Sequence, residues 1–250
     1  MNEAGSSAQS CYSPRPKVIF FDAVGTLFHL PRGVGFHYRD VLARHGVLLP
    51  EEALATAFTA CWAEMPPFHP AGNAPADDGK SWWRELVRRV VRRCGVAEQA
   101  LDFDTFFEAL YSEFVRPAVW SLYPETEAVL EALADQFHLG VITNFDGRYR
   151  AVAEQLGIAR FFRTVVISSE VAAEKPSPQI FQHALALAGF AAKEALHVGD
   201  DPVSDWEGAT TAGLHVFRLD RPRNDLRSLL PALDCDPKLP EDRDAAATAW

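Results

Sequence analysis

The sequence predicts an α/β fold, in which a Rossmann-like, doubly wound parallel sheet forms the core and an all-α cap domain is inserted into it. Short apolar runs rich in β-branched residues recur along the chain, which is typical of strands buried on both faces of a parallel sheet. Helical patterns separate these runs, as expected for βαβ units with right-handed crossovers. One long region after the first run contains helical patterns only.

The first strand is predicted in "KVIFF", residues 17–21, where apolar residues follow one another without a polar alternation. The chain then delivers a single aspartate, Asp22, onto a glycine-threonine turn. Four further strands are predicted in "LGVITN", "TVVIS", "ALHVGD" and "LHVFRL", which begin at residues 139, 164, 195 and 214. Each is short enough for a strand and is followed by turn residues or a helical pattern.

Residues 33–116 are predicted to form the helical cap. Their apolar residues recur at helical spacing in four segments, residues 35–45, 51–65, 81–94 and 104–115. The loop "PPFHPAGNAPADDG", residues 66–79, is rich in proline and glycine and divides these segments into two pairs. No strand pattern interrupts the region.

The remaining segments follow from these assignments. Residues 1–16 are polar and contain prolines, so we expect a flexible leader there. Residues 17–32 and 117–230 are expected to form the Rossmann-like core. Residues 231–250 are acidic and contain prolines, and we expect them to form a tail.

Composition limits the classes of partner. Hydrophobic residues make up 48% and charged residues 23% of the chain, as in ordinary globular proteins and unlike disordered ones. The net charge of −10 repels nucleic-acid phosphates and anionic lipids. We therefore expect neither a nucleic acid nor a membrane as partner, and the sequence predicts no particular oligomeric state.

Cysteine usage and the first residues favour a cytoplasmic protein. The four cysteines are far apart and form no CxxC pair, which fits a reducing compartment. The first sixteen residues contain no apolar segment of the kind found in secretory signals.

Chemically reactive side chains fall at the predicted strand ends. Ligands of open parallel sheets bind outside the carboxyl ends of the strands, so these residues are expected to converge. They are Asp22, Thr143, Asn144, Lys175, Asp200 and Asp205.

This set of side chains suits phosphoryl transfer. A buried carboxylate such as Asp22 can attack phosphorus and divide one difficult displacement into two steps. Mg²⁺ prefers oxygen ligands, which Asp22 and Asp200 would provide with a main-chain carbonyl, supported by Asp205. The Lys175 ammonium and the Thr143 hydroxyl would hold the phosphoryl oxygens.

Four segments, "FFDAVGTLF", "VITNFDGR", "EKPSPQIF" and "HVGDDPVSDWEGA", resemble the four ordered motifs of the haloacid dehalogenase-like hydrolase superfamily. The resemblance covers residues 17–28 and about 119–220. A helical insertion after the first strand implies the subfamily with an α-helical C1 cap. The second and fourth motifs are similar to a branch related to a rhythmically expressed gene product.

The resemblance implies a role for each matching residue and a small phosphorylated molecule as substrate. Asp22 corresponds to the nucleophile and Thr143 and Lys175 to the catalytic phosphate-holding residues, with Asn144 beside them at the substrate. The implied Mg²⁺ ligands are Asp22, the main-chain carbonyl of Val24, Asp200 and Asp205.

The sequence departs from the phosphatase pattern at Val24, where these enzymes usually have an aspartate that acts as acid and base. Such catalysis is worth about 10²- to 10⁴-fold in rate, or about 3 to 5 kcal/mol. We therefore expect a phosphatase that is slow or restricted to good leaving groups. Asp201, Asp146 and His37 are candidates for replacing the missing group.

Two other functions remain open from the sequence. A metal-free 2-haloacid dehalogenase also lacks the second aspartate, although the acidic residues near Asp200 would repel an anionic haloacid. The fold could also bind a metal, an anion or a partner without turnover. Phosphonate hydrolysis requires a Schiff-base lysine in the cap, where Lys80 is the only lysine and is expected to be an exposed helix-start residue.

Overall fold

A computed structural model describes residues 12–68, 77–221 and 223–235 of the protein. Most of the predicted leader and tail, and the middle of the loop at residues 66–79, lie outside the described residues. The strands are β1 (Val18–Phe21), β2 (Phe28–His29), β3 (Ser121–Leu122), β4 (His138–Thr143), β5 (Thr164–Ile167), β6 (Ala195–Gly199) and β7 (His215–Arg218).

Five of the strands in the described part form one parallel sheet in the order β5-β4-β1-β6-β7. These are the five strands predicted from the apolar runs. β1 lies in the middle, with Phe21 paired to Val141 on one side and Val198 on the other. Because the order of the strands reverses at β1, its carboxyl end is the topological switch point where such sheets bind ligands.

The helices are α1 (Gly33–Arg44), α2 (Glu51–Ala63), α3 (Lys80–Arg93), α4 (Phe103–Glu113), α5 (Thr126–Ala134), α6 (Arg148–Gln155), α7 (Ser168–Val171), α8 (Pro178–Ala188), α9 (Gly208–Thr211) and α10 (Leu229–Ala232). None of these described helices has the length and apolar character needed to cross a lipid bilayer.

Helices cover both faces of the sheet. Ile19 and Phe21 of β1 pack in one hydrophobic cluster with residues of α5, such as Leu130. Phe20, which points to the opposite face, packs in a second cluster with Phe181 of α8. The doubly wound Rossmann-like core is thereby confirmed.

The four helices between β2 and β3 in the described residues pack around a hydrophobic cluster of their own. It includes Leu42, Leu54, Leu86 and Phe106, one from each of these helices. The chain enters this cap after β2 and leaves it through β3, and the two form an antiparallel ribbon at the junction. The sequence did not predict the ribbon because two-residue strands carry no periodicity.

The segment after β6 differs from the regular helix predicted over "VSDWEGATTAG". Residues Pro202–Glu207 form a π-helical turn that precedes α9. The Asp201 carboxylate caps this turn by accepting from two backbone N–H groups, and Trp206 N–H donates to the carbonyl of Asp201. This wide turn directs Asp205 back toward the sheet.

Parts of the predicted leader and tail pack against the core. Leu233 and Cys235, in the predicted tail, are buried in the cluster that contains Ile19. Tyr12, in the predicted leader, contacts the His215 ring with centroids 5.5 Å apart. Isolated apolar residues in polar surroundings give no periodic signal, so the sequence did not indicate these contacts.

Candidate active site

Asp22 lies directly after β1, at the switch point. Its N–H donates to the carbonyl of Val198 at 2.8 Å, and the residue is only 8% exposed. The chain turns at Gly25, with φ +94°, where a Cβ atom would overlap the Asp200 carboxylate. The Thr26 hydroxyl then donates to Oδ1 of Asp200 at 2.9 Å. The glycine-threonine turn thus joins the ends of β1 and β6.

Lys175 connects two carboxylates at the centre of the site. Its Nζ donates to Oδ1 of Asp22 and to Oδ1 of Asp205, at 2.6 Å in each case. The Asn144 side chain holds the lysine loop, because its Oδ1 accepts from Lys175 N–H and its Nδ2 donates to the Lys175 carbonyl, both at 2.8 Å. Asn144, predicted to contact substrate, therefore also positions Lys175.

His197 is a site residue that the sequence analysis missed. It lies in β6 with no exposed surface, and its Nε2 contacts Oδ1 of Asp205 at 2.8 Å. Oδ2 of Asp205 accepts from the N–H of Asp201 at 3.0 Å. Both oxygens of Asp205 are thus held in place. The available signal was a single polar residue inside the apolar strand "ALHVG".

The carboxylates of Asp22, Asp200 and Asp205 form an acidic cluster, whose negative charge exceeds the single positive charge of Lys175. The pKa of Asp22 is raised to about 7, mainly because the group is buried; Lys175 opposes this rise, while Asp205 and Asp200 add to it. Burial also raises the pKa of Asp200. Burial acts against the Lys175 charge, but Asp22 and Asp205 outweigh it and raise the pKa of that lysine. Burial would raise the pKa of Asp205 too, but Lys175 and His197 keep it below its usual range.

The acidic cluster fits a hard divalent cation. Asp22, Asp200 and Asp205 each offer a carboxylate oxygen, and these oxygens lie within 4.8 Å of one another. Carboxylate oxygens are the ligands that Mg²⁺ prefers, and a cation would relieve the repulsion that raises the pKa of Asp22. The carbonyl of Val24 stays a predicted ligand.

The residues that the sequence predicts for the site are brought together by the fold. They line a single cavity of about 540 Å³ between the sheet and the cap. Thr143, at the end of β4, is almost fully buried in its wall. The predicted residues in the lining are Asp22, Val24, Thr143, Asn144, Lys175, Asp200 and Asp205.

Val24 presents an apolar group to this cavity and is 40% exposed. Of the three candidates for a replacement acid, Asp146 is fully buried and ion-paired with Arg148 at 2.6 Å. His37 is buried in the cap, outside the cavity lining. Asp201 does line the cavity, but its Oδ1 accepts two backbone N–H bonds. Asp146 and His37 are therefore not among the residues that line the cavity, and Asp201 is already engaged as a cap through one of its oxygens.

The loop after β4 joins the core to the cap through contacts that were not predicted from the sequence. Arg148 donates to both oxygens of Asp146, and its guanidinium carbon lies 3.8 Å from the centre of the Tyr111 ring. Its Nη1 also donates to the Tyr111 carbonyl at 3.2 Å. Beside it, Gly147 N–H donates to Oδ2 of Asp78 at 2.7 Å.

Lys80 is the first residue of α3 and forms an ion pair with Glu108 at 2.7 Å. It is not among the described residues that line the cavity. The cap therefore supplies no lysine for Schiff-base chemistry at Asp22.

Comparisons with known proteins give consistent matches. A family model described as haloacid dehalogenase-like hydrolase matches residues 16–213. Haloacid dehalogenase-like hydrolase domain-containing protein 3 of Homo sapiens is 30% identical over 88% of this chain and 94% of its own. The rhythmically expressed gene 2 protein of Drosophila melanogaster is 30% identical over 80% and 82%. A Thermus thermophilus phosphoserine phosphatase is 40% identical over 66% and 65%.

Solved structures have the same fold. The putative HAD-hydrolase YfnB from Bacillus subtilis, bound to magnesium, has a TM-score of 0.69 at 17% identity, over 88% of this chain and 99% of that one. A 2-haloacid dehalogenase from Pseudomonas syringae has a TM-score of 0.61 at 28% identity, over 88% and 98%. The chain is thus similar both to a phosphoserine phosphatase and to a 2-haloacid dehalogenase.

Proposed function

The chain belongs to the haloacid dehalogenase-like hydrolase family, and on that premise we propose that it is a Mg²⁺-dependent phosphatase that acts through Asp22. The resemblance read from the four motifs, including the branch of the rhythmically expressed gene 2 protein, is confirmed by these matches. The observation that carries the proposal is the buried arrangement in which Lys175 bridges Asp22 and Asp205, with Asp200 beside them.

In the proposed reaction, the Asp22 carboxylate attacks phosphorus, and the bond from phosphorus to the ester oxygen breaks. The alcohol oxygen leaves with the electron pair and takes a proton from solvent. Water then attacks phosphorus in the aspartyl-phosphate, the bond from phosphorus to the Asp22 oxygen breaks, the phosphate departs with the protons of the water, and Asp22 is restored as a carboxylate. Lys175 and Thr143 are proposed to stabilise the phosphoryl oxygens as charge spreads over them. His197 keeps Asp205, and through it Lys175, in a fixed orientation.

Mg²⁺, held by Asp22 and Asp200 with the Val24 carbonyl and with Asp205 in support, would neutralise the charge that accumulates between the Asp22 carboxylate and the phosphoryl group. The three carboxylates and one lysine leave a net negative site, which would otherwise repel a phosphate dianion. This electrostatic requirement supports the proposed cofactor.

Val24 limits the proposed activity to leaving groups that depart without a proton. An alkoxide needs protonation in the transition state, and the side chain at this position has no proton to donate. Acyl and aryl phosphates do not need it. We therefore propose a preference for such activated substrates, the acyl phosphates and the aryl phosphate esters.

Metal-free dehalogenation is a second candidate because a 2-haloacid dehalogenase is 28% identical to the chain and because Val24 removes the second aspartate. In that reaction Asp22 would displace halide from carbon. The neighbouring Asp200 and Asp205 would repel an anionic haloacid, so the charge distribution favours the phosphatase. A fold that binds ligands without turnover is the third candidate.

The test measures release of phosphate or chloride from p-nitrophenyl phosphate, acetyl phosphate and 2-chloropropionate, each with Mg²⁺ and with EDTA. We expect Mg²⁺-dependent release of phosphate, and we expect Asp22→Asn to abolish it. The control variant Asp135→Asn changes a solvent-exposed aspartate after α5 and should leave the activity intact. Release of chloride in EDTA would identify a dehalogenase. Absence of all three activities would contradict the proposed function.

A further inference from the structure

We propose that the preferred substrate class is aryl phosphate monoesters, whose aromatic leaving group binds between the cap and the core. This inference rests on the proposed phosphatase function and specifies the part of the substrate that departs. Two independent features carry it, the composition of the cavity walls and the absence of a proton donor at Val24.

The cavity combines a group of polar residues with a wall of mainly aromatic and aliphatic side chains. The acidic cluster and Lys175 line the cavity at the carboxyl ends of the strands. The cap contributes Phe107 and Tyr111 of α4, and Phe114 directly after that helix. Trp120 and Phe145 complete the wall from the core side. These five aromatic residues form what we call the aromatic compartment. Since it belongs to the same cavity as Asp22, a substrate with its phosphoryl group at Asp22 can place its leaving group there. Aromatic side chains of this kind bind planar rings through edge and face contacts.

The aromatic compartment offers only scattered partners to a charged or hydroxylated leaving group. The polar cap residues in the cavity wall include Tyr38, Thr59, Trp83 and Tyr111, and the Thr59 hydroxyl already donates to the Ala55 carbonyl. Among the described residues of the cavity wall, Arg148 is the charged side chain apart from Lys175 and the aspartates, and Asp146 already neutralises it. A sugar or amino-acid leaving group would bury hydroxyl, ammonium or carboxylate groups against apolar walls. Burial of such groups without hydrogen-bond partners is unfavourable. An apolar ring has no such groups to satisfy.

The chemistry at Val24 favours the same class. A phenol has a pKa of about 10, like the tyrosine side chain, whereas water, the parent of the alcohols, has a pKa of about 15.7. A phenoxide therefore leaves far more readily than an alkoxide without a proton from the enzyme. The composition of the cavity wall and the apolar side chain of Val24 are independent features of the site. Both favour an aromatic alcohol as the leaving group.

The size of the cavity allows more than one ring. Its volume of about 540 Å³ lies within the roughly 300–1,000 Å³ usual for small-molecule sites. We therefore choose 2-naphthyl phosphate as the probe. O-phosphoserine and glycerol 3-phosphate serve as polar alkyl substrates, and acetyl phosphate serves as a small activated substrate that needs no aromatic compartment.

The first experiment compares kcat/KM for these four compounds with Mg²⁺. We expect 2-naphthyl phosphate to exceed O-phosphoserine and glycerol 3-phosphate by at least about 100-fold, the lower range of acid catalysis. Hydrolysis of acetyl phosphate without an advantage for 2-naphthyl phosphate would overturn the aryl inference and leave the phosphatase proposal standing. Failure of all four compounds would overturn both.

The second experiment partly fills the compartment. Val34 of α1 lines the cavity, whereas Leu48 is 83% exposed in the loop after α1. Val34→Trp should lower the ratio of kcat/KM for 2-naphthyl phosphate to that for acetyl phosphate by at least about tenfold, as expected for loss of space in a fitted pocket. Leu48→Trp, an equal addition outside the cavity, should leave the ratio unchanged. Equal ratios in both variants would place the leaving group elsewhere and overturn the inference.

Discussion

Replacement of Val24 by aspartate should convert the protein into a phosphatase that also accepts alkyl esters. Val24 lines the cavity that contains Asp22 and is 40% exposed, so a carboxyl group at this position would be both near the reacting atoms and partly hydrated. Because the position is open, the substitution should not introduce a buried, unpaired charge into the core.

The expected gain follows from the role of the missing group. A positioned acid contributes about 10²- to 10⁴-fold, and an introduced carboxyl without evolved supporting contacts should reach only the lower part of this range. We therefore expect kcat/KM for glycerol 3-phosphate to rise about 100-fold, which corresponds to about 2.7 kcal/mol of transition-state stabilisation. Acetyl phosphate, whose leaving group needs no proton, should change by less than about threefold.

The assay measures phosphate release with Mg²⁺ for both substrates in wild type, Val24→Asp and Val24→Asn. The asparagine variant is the matched control, because it has nearly the same shape and polarity but no ionisable proton. A gain in the aspartate variant alone supports the explanation. If both variants behave alike, a proton from the introduced carboxyl group is not the cause of the change. If the alkyl ester gains nothing, another group already supplies the proton, and either result refutes the explanation of the weak step.

Three further predictions concern metal binding, Asp205 and the core. The pKa of Asp22 is raised to about 7, so below this pH Mg²⁺ must displace a proton from the carboxyl group. The apparent Kd for Mg²⁺, measured by calorimetry, should therefore increase about tenfold from about pH 8 to about pH 6. A constant Kd would contradict the assignment of Asp22 as a Mg²⁺ ligand. His197→Phe removes a hydrogen-bonding partner of Asp205 and should weaken Mg²⁺ affinity by about 10- to 100-fold while circular dichroism shows a folded protein. Unchanged affinity would show that Lys175 and the Asp201 N–H position Asp205 without His197. Leu233→Ala should lower the free energy of unfolding by about 2 to 5 kcal/mol in urea titrations, and a loss below about 1 kcal/mol would show that this residue is not part of the core.

The central sheet and the catalytic residues could be predicted because their signals are local. A run such as "VIFF" indicates a buried strand, and the chain must then deliver Asp22 to the carboxyl end of the sheet. The same reasoning brought Lys175 and Asp200 to the site. Convergence of these residues needs only the direction of the strands, not their detailed packing.

The features that were missed depend on contacts between distant parts of the chain. His197 is one residue of a strand, and its bond to Asp205 requires the π-helical turn that follows β6. Arg148 contacts Tyr111 across the boundary between core and cap, and no spacing within either segment indicates that pairing. The aromatic compartment likewise exists only after the cap helices lie against the sheet.

The most direct test of the proposed mechanism is to identify the phosphorylated residue during turnover. The protein would be mixed with acetyl phosphate and Mg²⁺, quenched in acid after a short interval, digested and examined by mass spectrometry. We predict one phosphoryl group on the peptide that contains Asp22, and none in Asp22→Asn. Phosphate release from a protein that never carries this group on Asp22, or a phosphoryl group on another residue, would contradict the mechanism.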